Sequence, residues 1–402
     1  DHAIIPHIQE DNKMSKNARD IGKIFSPLQI GFIADCIEPL SAGSEAGWAL
    51  ELLSDRPDLQ VVPIERDGAV LGVISRHVLQ DLVGSAWKRF WQKDLDAYVI
   101  QAKGTVEATD YVDRIVAKGL ETSAGDEPDW YIVQHRRSYL GIVNLQQMLE
   151  YLNELRAQDL KRAGEIQQHL LDKPVPEDDR FKTCFFNRMA HEIGGDFYRS
   201  ITLGPDNFLV ACFDVAGKNI SGSLATTALG AFFSAIRLFS YSGTPKKTTE
   251  LLNALIRDVN PDDVFVAGVL FYIDFSVNSI EIHNCGFSPV VAFVPQQDKK
   301  ISCRMAKPNL PPLGIQEQFE LDTVHRIHLS PGLRLTAFSD GLTDMTNPFG
   351  ERYGDDKTTT FLQKAHTVPH KELIPLLNEE IDKWIGEAHL ADDITLVDIR
   401  FN

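Results

Sequence analysis

The chain has 402 residues, 43% hydrophobic and 24% charged, which excludes a largely disordered polypeptide and is enough for two or three domains with their own cores. Its 57 acidic against 40 basic residues leave a formal charge of −17, so neither a nucleic acid nor an anionic membrane surface is an expected partner. Five scattered cysteines form no Cys-x-x-Cys pair, and there is no apolar run of the roughly 18 residues that span a bilayer, so a reduced, cytoplasmic protein is expected.

In chain order, residues 1–27 read as an irregular polar tail. Between residues 28 and 152 one unit occurs twice. The first copy offers a helix in AGWALELLSDRP, with Trp48, Leu52 and Leu53 at helical spacing, then the strand QVVPIE, a turn at Arg66-Asp67-Gly68, the strand AVLGVIS and the helix RHVLQDLV. The second offers TDYVDRIVAKGLE, DWYIVQ, a turn at His135-Arg136-Arg137, YLGIVN and LQQMLEYL. This order, with Gly72-Val73-Ile74-Ser75 and Gly141-Ile142-Val143-Asn144 at matching places, resembles a tandem pair of cystathionine-β-synthase (CBS) domains. The resemblance implies an adenine-nucleotide site between the copies, with an Asp three residues after the Ser or Thr. This chain carries Val78 and Gln147 there, which leaves a structural, dimer-forming role equally open.

Residues 145–173 are rich in helix formers and predict a linker helix. Met148, Leu152, Leu155, Ile166 and Leu170 give it a partial apolar stripe, interrupted by the polar stretch Arg156 to Arg162. A solvated spacer and a coiled coil joining two protomers of a homodimer both fit that pattern. DKPVPEDDR then breaks the helix, and a new domain is expected over residues 178–402.

That domain reads as strands NFLVACFD, VFVAGVLFYID, SIEIHNC, PVVAFV, LRLTAFSD and ITLVDIR. Helices are expected at ISGSLATTALGAFFSAIRLFS, with Leu224, Ala228, Ala231, Phe232, Ala235 and Ile236 on one face, and at KKTTELLNALIRDV and HKELIPLLNEEIDKWIGE. Strands dominate and the helices come in blocks, so the fold class is α+β, with packed antiparallel sheets covered by helices.

Four aspartates fall at strand ends: Asp196 after Gly194-Gly195, Asp214 after the apolar run Phe208 to Phe213, Asp340 before Gly341, and Asp392, followed by Asp393, before ITLVDI. A carboxylate beside a run apolar on both faces is costly unless it is paired or bound to metal. Carboxylates and a backbone carbonyl, such as that of Val215, are donors for Mg²⁺ or Mn²⁺, whereas the lack of Cys/His spacing disfavours zinc. Each Asp alone reads first as a turn former or helix cap, the commonest role of an acid at a strand end. GGDF invites comparison with the GGDEF of diguanylate cyclases, but Phe197-Tyr198 replace Glu-Phe and nothing downstream fits.

GGDFY, FDVAGKNISGSLAT, NCGFSPVV, PPLGI, LSPGLRLTAFSDGLTDMTNPFGERYG and ADDITLV follow one another in the order seen in the PPM family of metal-dependent serine/threonine phosphatases. The stretch from about residue 165 to 401 most resembles its bacterial branch, typified by SpoIIE and the stress-response regulators. The resemblance implies two sheets flanked by helices (αββα) and a centre of two Mn²⁺ or Mg²⁺ ions. Asp196, Asp214, Asp340 and Asp392 would be its carboxylate ligands, Asp214 the bridge, Val215 the carbonyl ligand, and Asp393, Gly195 and Gly341 the support behind them. It further implies hydrolysis of phosphoserine or phosphothreonine in a small regulatory protein, such as a STAS-type anti-sigma-factor antagonist, under control of the N-terminal module. Lys218 stands where many relatives have His or Lys, and Arg199 is a candidate for phosphate binding or a surface ion pair. A non-catalytic or conditionally active phosphatase-like signalling protein is the competing reading.

Overall fold

Valine- and isoleucine-rich segments alternate with short amphipathic helices in the N-terminal unit, Asp1–Gln158, and give way to long strands in the C-terminal unit, Asp159–Asn402. The computed structural model describes residues 24–54, 57, 59–84, 95–122, 129–217, 220–241, 243–259, 264–296, 301–317 and 324–402. Lys218 and all of the expected tail before residue 24 lie outside these.

In the N-terminal unit the duplication is explicit. The first copy contains β1 (Leu40–Ser41), the helix Ala46–Ser54, β2 (Val61–Arg66), β3 (Ala69–Ser75) and the helix Arg76–Gly84. After β4 (Ile100–Gln101), the second contains β5 (Gly104–Glu107), the helix Val112–Thr122, β6 (Trp130–His135), β7 (Ser138–Asn144) and the start of the helix Leu145–Leu171. In each copy the first strand runs parallel to the second, and the second pairs with the third as an antiparallel hairpin. The hairpins carry matching irregularities, at Ile64/Glu65 and Val133/Gln134. Both turn through two residues of positive φ, Asp67 and Gly68 in one and Arg136 and Arg137 in the other, which matches the twist of two-residue hairpins. The segment before each copy pairs with the other copy's last strand: β4 with β3, and Asp35 with Ile142 of β7.

Trp48, Leu52 and Phe25 depart from the sequence expectation, and Gln147 acquires a partner it did not foresee. Trp48 is 72% exposed, and Ala49 and Leu53 face the core in its place, because a nine-residue helix on one side of a small sheet buries a single narrow stripe. Leu52 is exposed as well. Phe25, expected in the tail, is buried with Val106, Val116 and Tyr131. Gln147 binds inwardly: its Oε1 accepts the Asn144 N–H, its backbone N–H donates to Asn144 Oδ1, and its Nε2 donates to Asp35 Oδ2 at 2.8 Å.

The C-terminal unit has two five-stranded sheets. One has the order β15 (His325–His328), β12 (Ser279–Cys285), β11 (Val266–Asp274), β10 (Asn207–Val215), β9 (Asp196–Gly204). The other has β14 (Ile301–Ala306), β13 (Val290–Pro295), β16 (Arg334–Phe338), β17 (Ile394–Phe401), β8 (Phe181–Arg188). All described pairings in both are antiparallel. The period of two explains the doubly apolar β10: Phe208, Val210 and Cys212 point between the sheets, while Leu209, Ala211 and Phe213 point toward the helices Ile220–Leu238 and Pro245–Val259. The far face of the second sheet is covered by Gly354–Ala365 and Leu373–Ile385 through Phe361, Leu377 and Ile381. The layer order is helix, sheet, sheet, helix, as expected.

The helix Ile220–Leu238 buries Gly222, Ala225, Thr226, Leu229, Gly230, Phe233 and Ile236. This corrects most of the expected face: Ile236 is buried as expected, but Leu224 is 67% exposed, because Leu229 and Phe233 supply the larger apolar volume one residue round the helix. The linker is a single helix, Leu145–Leu171, whose first turns place Leu145, Met148 and Leu152 in the N-terminal core and whose last residue, Leu171, enters the C-terminal one.

Candidate metal centre

Antiparallel pairing brings the four aspartates to one rim. Asp196 begins β9 and pairs across the strand with Asp214 near the end of β10. Asp340 follows β16, and Asp392 and Asp393 precede its neighbour β17. Asp214, Val215, Asp340, Asp392 and Asp393, with Gly194, Gly195, His191 and Phe265, line a cleft of about 300 Å³ between the sheets. Of the expected ligands, Asp196 alone is absent from that lining, being 2% exposed in the wall beside Asp214.

Asp393 organises this rim. Its Oδ1 accepts the Ala190 N–H and its Oδ2 the Gly195 N–H, both at 2.8 Å, fixing the loop that delivers Asp196. Burial pushes its carboxyl above the usual range, and those backbone hydrogen bonds oppose the shift. The backbone approaches so closely that a Cβ on Gly341 would overlap the Asp393 carbonyl. Gly341→Ala is therefore expected to cost about 1–3 kcal/mol, seen as a lower urea midpoint for the C-terminal unit.

Burial first, then the Asp214 carboxylate, raises Asp196 well above the usual carboxylate range. Asp196 Oδ2 is buried without a hydrogen-bond partner. Apart from the His191 imidazole, the donors lining the cleft are carboxylate and carbonyl oxygens, with no thiol, Lys or Arg among the described residues. An orphaned acidic oxygen in a wall of like charge fits a hard divalent cation.

Two residues beside the rim were not legible in advance. Gln167, near the end of the linker helix and 3% exposed, donates from Nε2 to the Gly194 carbonyl at 2.6 Å and to Thr226 Oγ1 at 2.9 Å. Its Oε1 accepts the Gly194 N–H at 2.9 Å, so one amide clamps the glycine two residues before Asp196 to the helix after Asp214. The available signal was a lone Gln beside Ile166 and Leu170 in the apolar stripe. His191 stands exposed in the cleft with no motif to mark it. Arg199 takes neither role expected of it: its Nη2 donates to the Leu170 carbonyl at 2.6 Å, capping the linker helix.

The fold of the C-terminal unit is similar to that of PP2C-type phosphatase domains. Residues 204–402 match the model of the family described as stage II sporulation protein E, SpoIIE. The chain is 24% identical over 273 residues to protein IcfG of Synechocystis sp., covering 61% of this chain and 42% of that protein. It is 24% identical over 192 residues to phosphoserine phosphatase RsbP of Bacillus subtilis, covering 47% and 46%. The chain thus spans about half the length of these two relatives. Among solved structures, the SiaA-PP2C domain of Pseudomonas aeruginosa superposes with a TM-score of 0.53 at 19% identity, over 62% of this chain and 99% of that domain.

Proposed function

We propose that this protein is a metal-dependent serine/threonine phosphoprotein phosphatase. The observation that carries this is the convergence of Asp196, Asp214, Asp340 and Asp392, from neighbouring strands of both sheets, on one rim. Asp196, Asp214, Asp340, Asp392 and the Val215 carbonyl would hold two Mn²⁺ or Mg²⁺ ions, with Asp214 between them and Asp393, Gly195 and Gly341 fixing the loops behind. When bound, such ions supply the Lewis acidity that makes a water nucleophilic near neutral pH and neutralises phosphoryl oxygens. The chain's own part is to aim the ligands, and no protein nucleophile is needed. The test is hydrolysis of p-nitrophenyl phosphate and a phosphoserine peptide by the full chain with Mn²⁺; no turnover under any metal condition would sink the proposal.

The substrate we infer is a small regulatory phosphoprotein of the STAS-type anti-sigma-factor antagonist class, dephosphorylated in the cytoplasm by a homodimer joined through the linker helix. The relatives RsbP and RsbU, named phosphoserine phosphatases, support a signalling role. No helix among the described residues is long and apolar enough to cross a membrane. Control by the CBS-like module, with or without an adenine nucleotide, would reach the rim through Gln167. Gln167→Leu preserves volume but leaves both Gly194 backbone groups unpaired, costing about 1–3 kcal/mol locally. The expected result is about a tenfold rise in the Mn²⁺ concentration needed for half-maximal turnover. An unchanged metal requirement would remove Gln167 from the control path.

The competing reading, a phosphatase-like protein active only with a regulator, is favoured by the exposed, polar middle of the linker helix. Turnover by the full chain without any partner would exclude it.

A further inference from the structure

Two apolar side chains stand in water beside the candidate centre, on backbone that holds them there. Phe265 is 40% exposed and lines the cleft. Its carbonyl accepts the Ala216 N–H at 2.9 Å, two residues after Asp214, so its position is tied to that of the ligand loop. Ile315 is 55% exposed on the adjoining segment. Val266 and Leu313 exchange both backbone hydrogen bonds, at 2.9 and 2.8 Å, which joins the two segments next to Phe265.

Ile315 is held out by a buried side chain. Asn253, 2% exposed in the helix Pro245–Val259, accepts the Gly314 N–H at 2.8 Å and donates to the Gln316 carbonyl at 2.8 Å. Gly314 turns through φ +94°, a conformation that residues with a Cβ rarely adopt. Ile315 lies between the two anchored residues and cannot retract without breaking both bonds. A buried amide and a left-handed glycine that together keep an isoleucine in solvent bring no gain inside the fold, which points to a surface shaped for contact.

The occupant follows from the surroundings. Phe265 belongs at once to the cleft and to this ledge, so whatever reaches the carboxylates passes it. The exposed apolar surface of Phe265 lines the cleft, so beside a phosphoryl group bound there it favours an apolar neighbour over a charged one, whose hydration it would displace without replacing. We propose that Phe265 and Ile315 select the substrate segment by taking an apolar side chain that flanks the phosphorylated residue. This rests on the phosphatase reading above.

The test uses the full chain with Mn²⁺ and two fluorescein-labelled phosphoserine peptides that differ only in having Leu or Gly on both sides of the phosphoserine. The wild type is expected to favour the Leu peptide by about tenfold in kcat/KM, the range of small apolar contacts, and to bind it more tightly by anisotropy. In Phe265→Ser with Ile315→Ser the ratio is expected to fall to about one. Both residues are exposed, so the double variant should keep the wild-type thermal unfolding curve. Equal kcat/KM for the two peptides in the wild type, or an unchanged ratio in the double variant, overturns the ledge while leaving the phosphatase intact. Preferential binding of the Leu peptide without turnover keeps the ledge and removes the phosphatase reading. A ratio lost together with a dimer-to-monomer shift on size exclusion means that a second copy covers the ledge, and overturns the proposal.

Discussion

Asp214→Asn is expected to lower Mn²⁺-dependent hydrolysis of a phosphoserine peptide by about 10²–10³-fold, the order seen when a group that stabilises developing charge is removed. The same substitution should leave the metal-free chain at least as stable as the wild type. Asp214 is one cause of the raised carboxyl of buried Asp196, and an amide there removes that like charge from its cross-strand neighbour. Thermal unfolding separates the two effects. With EDTA the variant should melt no lower than the wild type. With Mn²⁺ at about a hundred times its Kd the wild type should gain about 2.7 kcal/mol, and the variant most of that less. A variant that melts far lower in EDTA would mean that Asp214 serves the fold, and one that keeps its activity would remove it from the centre.

The contrast between β10 and β9 shows what was legible in the sequence. β10 is apolar on both faces and ends in an acid, so both the strand and the anomaly at its end can be read directly. β9 is DFYRSITLG, where Arg199 and Ser200 interrupt the pattern; they are buried, but Arg199 is paired with a carbonyl that lies 29 residues away in sequence. β14 and β15 are edge strands, half exposed and poor in apolar residues, so they carry too weak a period to be seen. The helix Ile220–Leu238 could be read, but its buried face could not, since two apolar stripes one residue apart compete and the sheet chooses the one with Phe233. The four aspartates of the rim could be picked out because each stands at or beside the terminus of an apolar strand. Gln167 and the Phe265–Ile315 ledge could not, because their roles are set by partners distant in sequence.

The second large effect is expected far from the rim. Asp398, fully buried on β17, accepts Arg334 Nε at 2.5 Å and Thr336 Oγ1 at 2.8 Å, with His370 Nδ1 at 3.3 Å and Arg400 Nε at 3.4 Å from its other oxygen. Arg334, 2% exposed, also donates to the Ala365 carbonyl at 2.6 Å and so anchors the end of the helix Gly354–Ala365. Burial alone would raise the Asp398 carboxyl, but the His370 imidazole and the Arg334 guanidinium outweigh it and hold it below the usual range. A depressed carboxyl contributes stability that is full above its unfolded pKa of about 3.9 and is lost as pH falls through the lower folded value. The C-terminal unit should therefore lose this contribution only below about pH 4. Asp398→Asn leaves Arg334 buried without a counter-charge and is expected to cost about 3–5 kcal/mol by urea unfolding at pH 7. Arg334→Met with Asp398→Leu should recover much of that, because it removes both charges and fills the volume. Cys184, His370 and Asp398 also bring three metal-ligand atoms within 4.8 Å of one another. Two guanidinium groups already face the same carboxylate, however, so added Zn²⁺ should not raise the unfolding midpoint. A rise abolished by Asp398→Asn would mean that a cation, rather than Arg334, is the partner this aspartate was buried to meet.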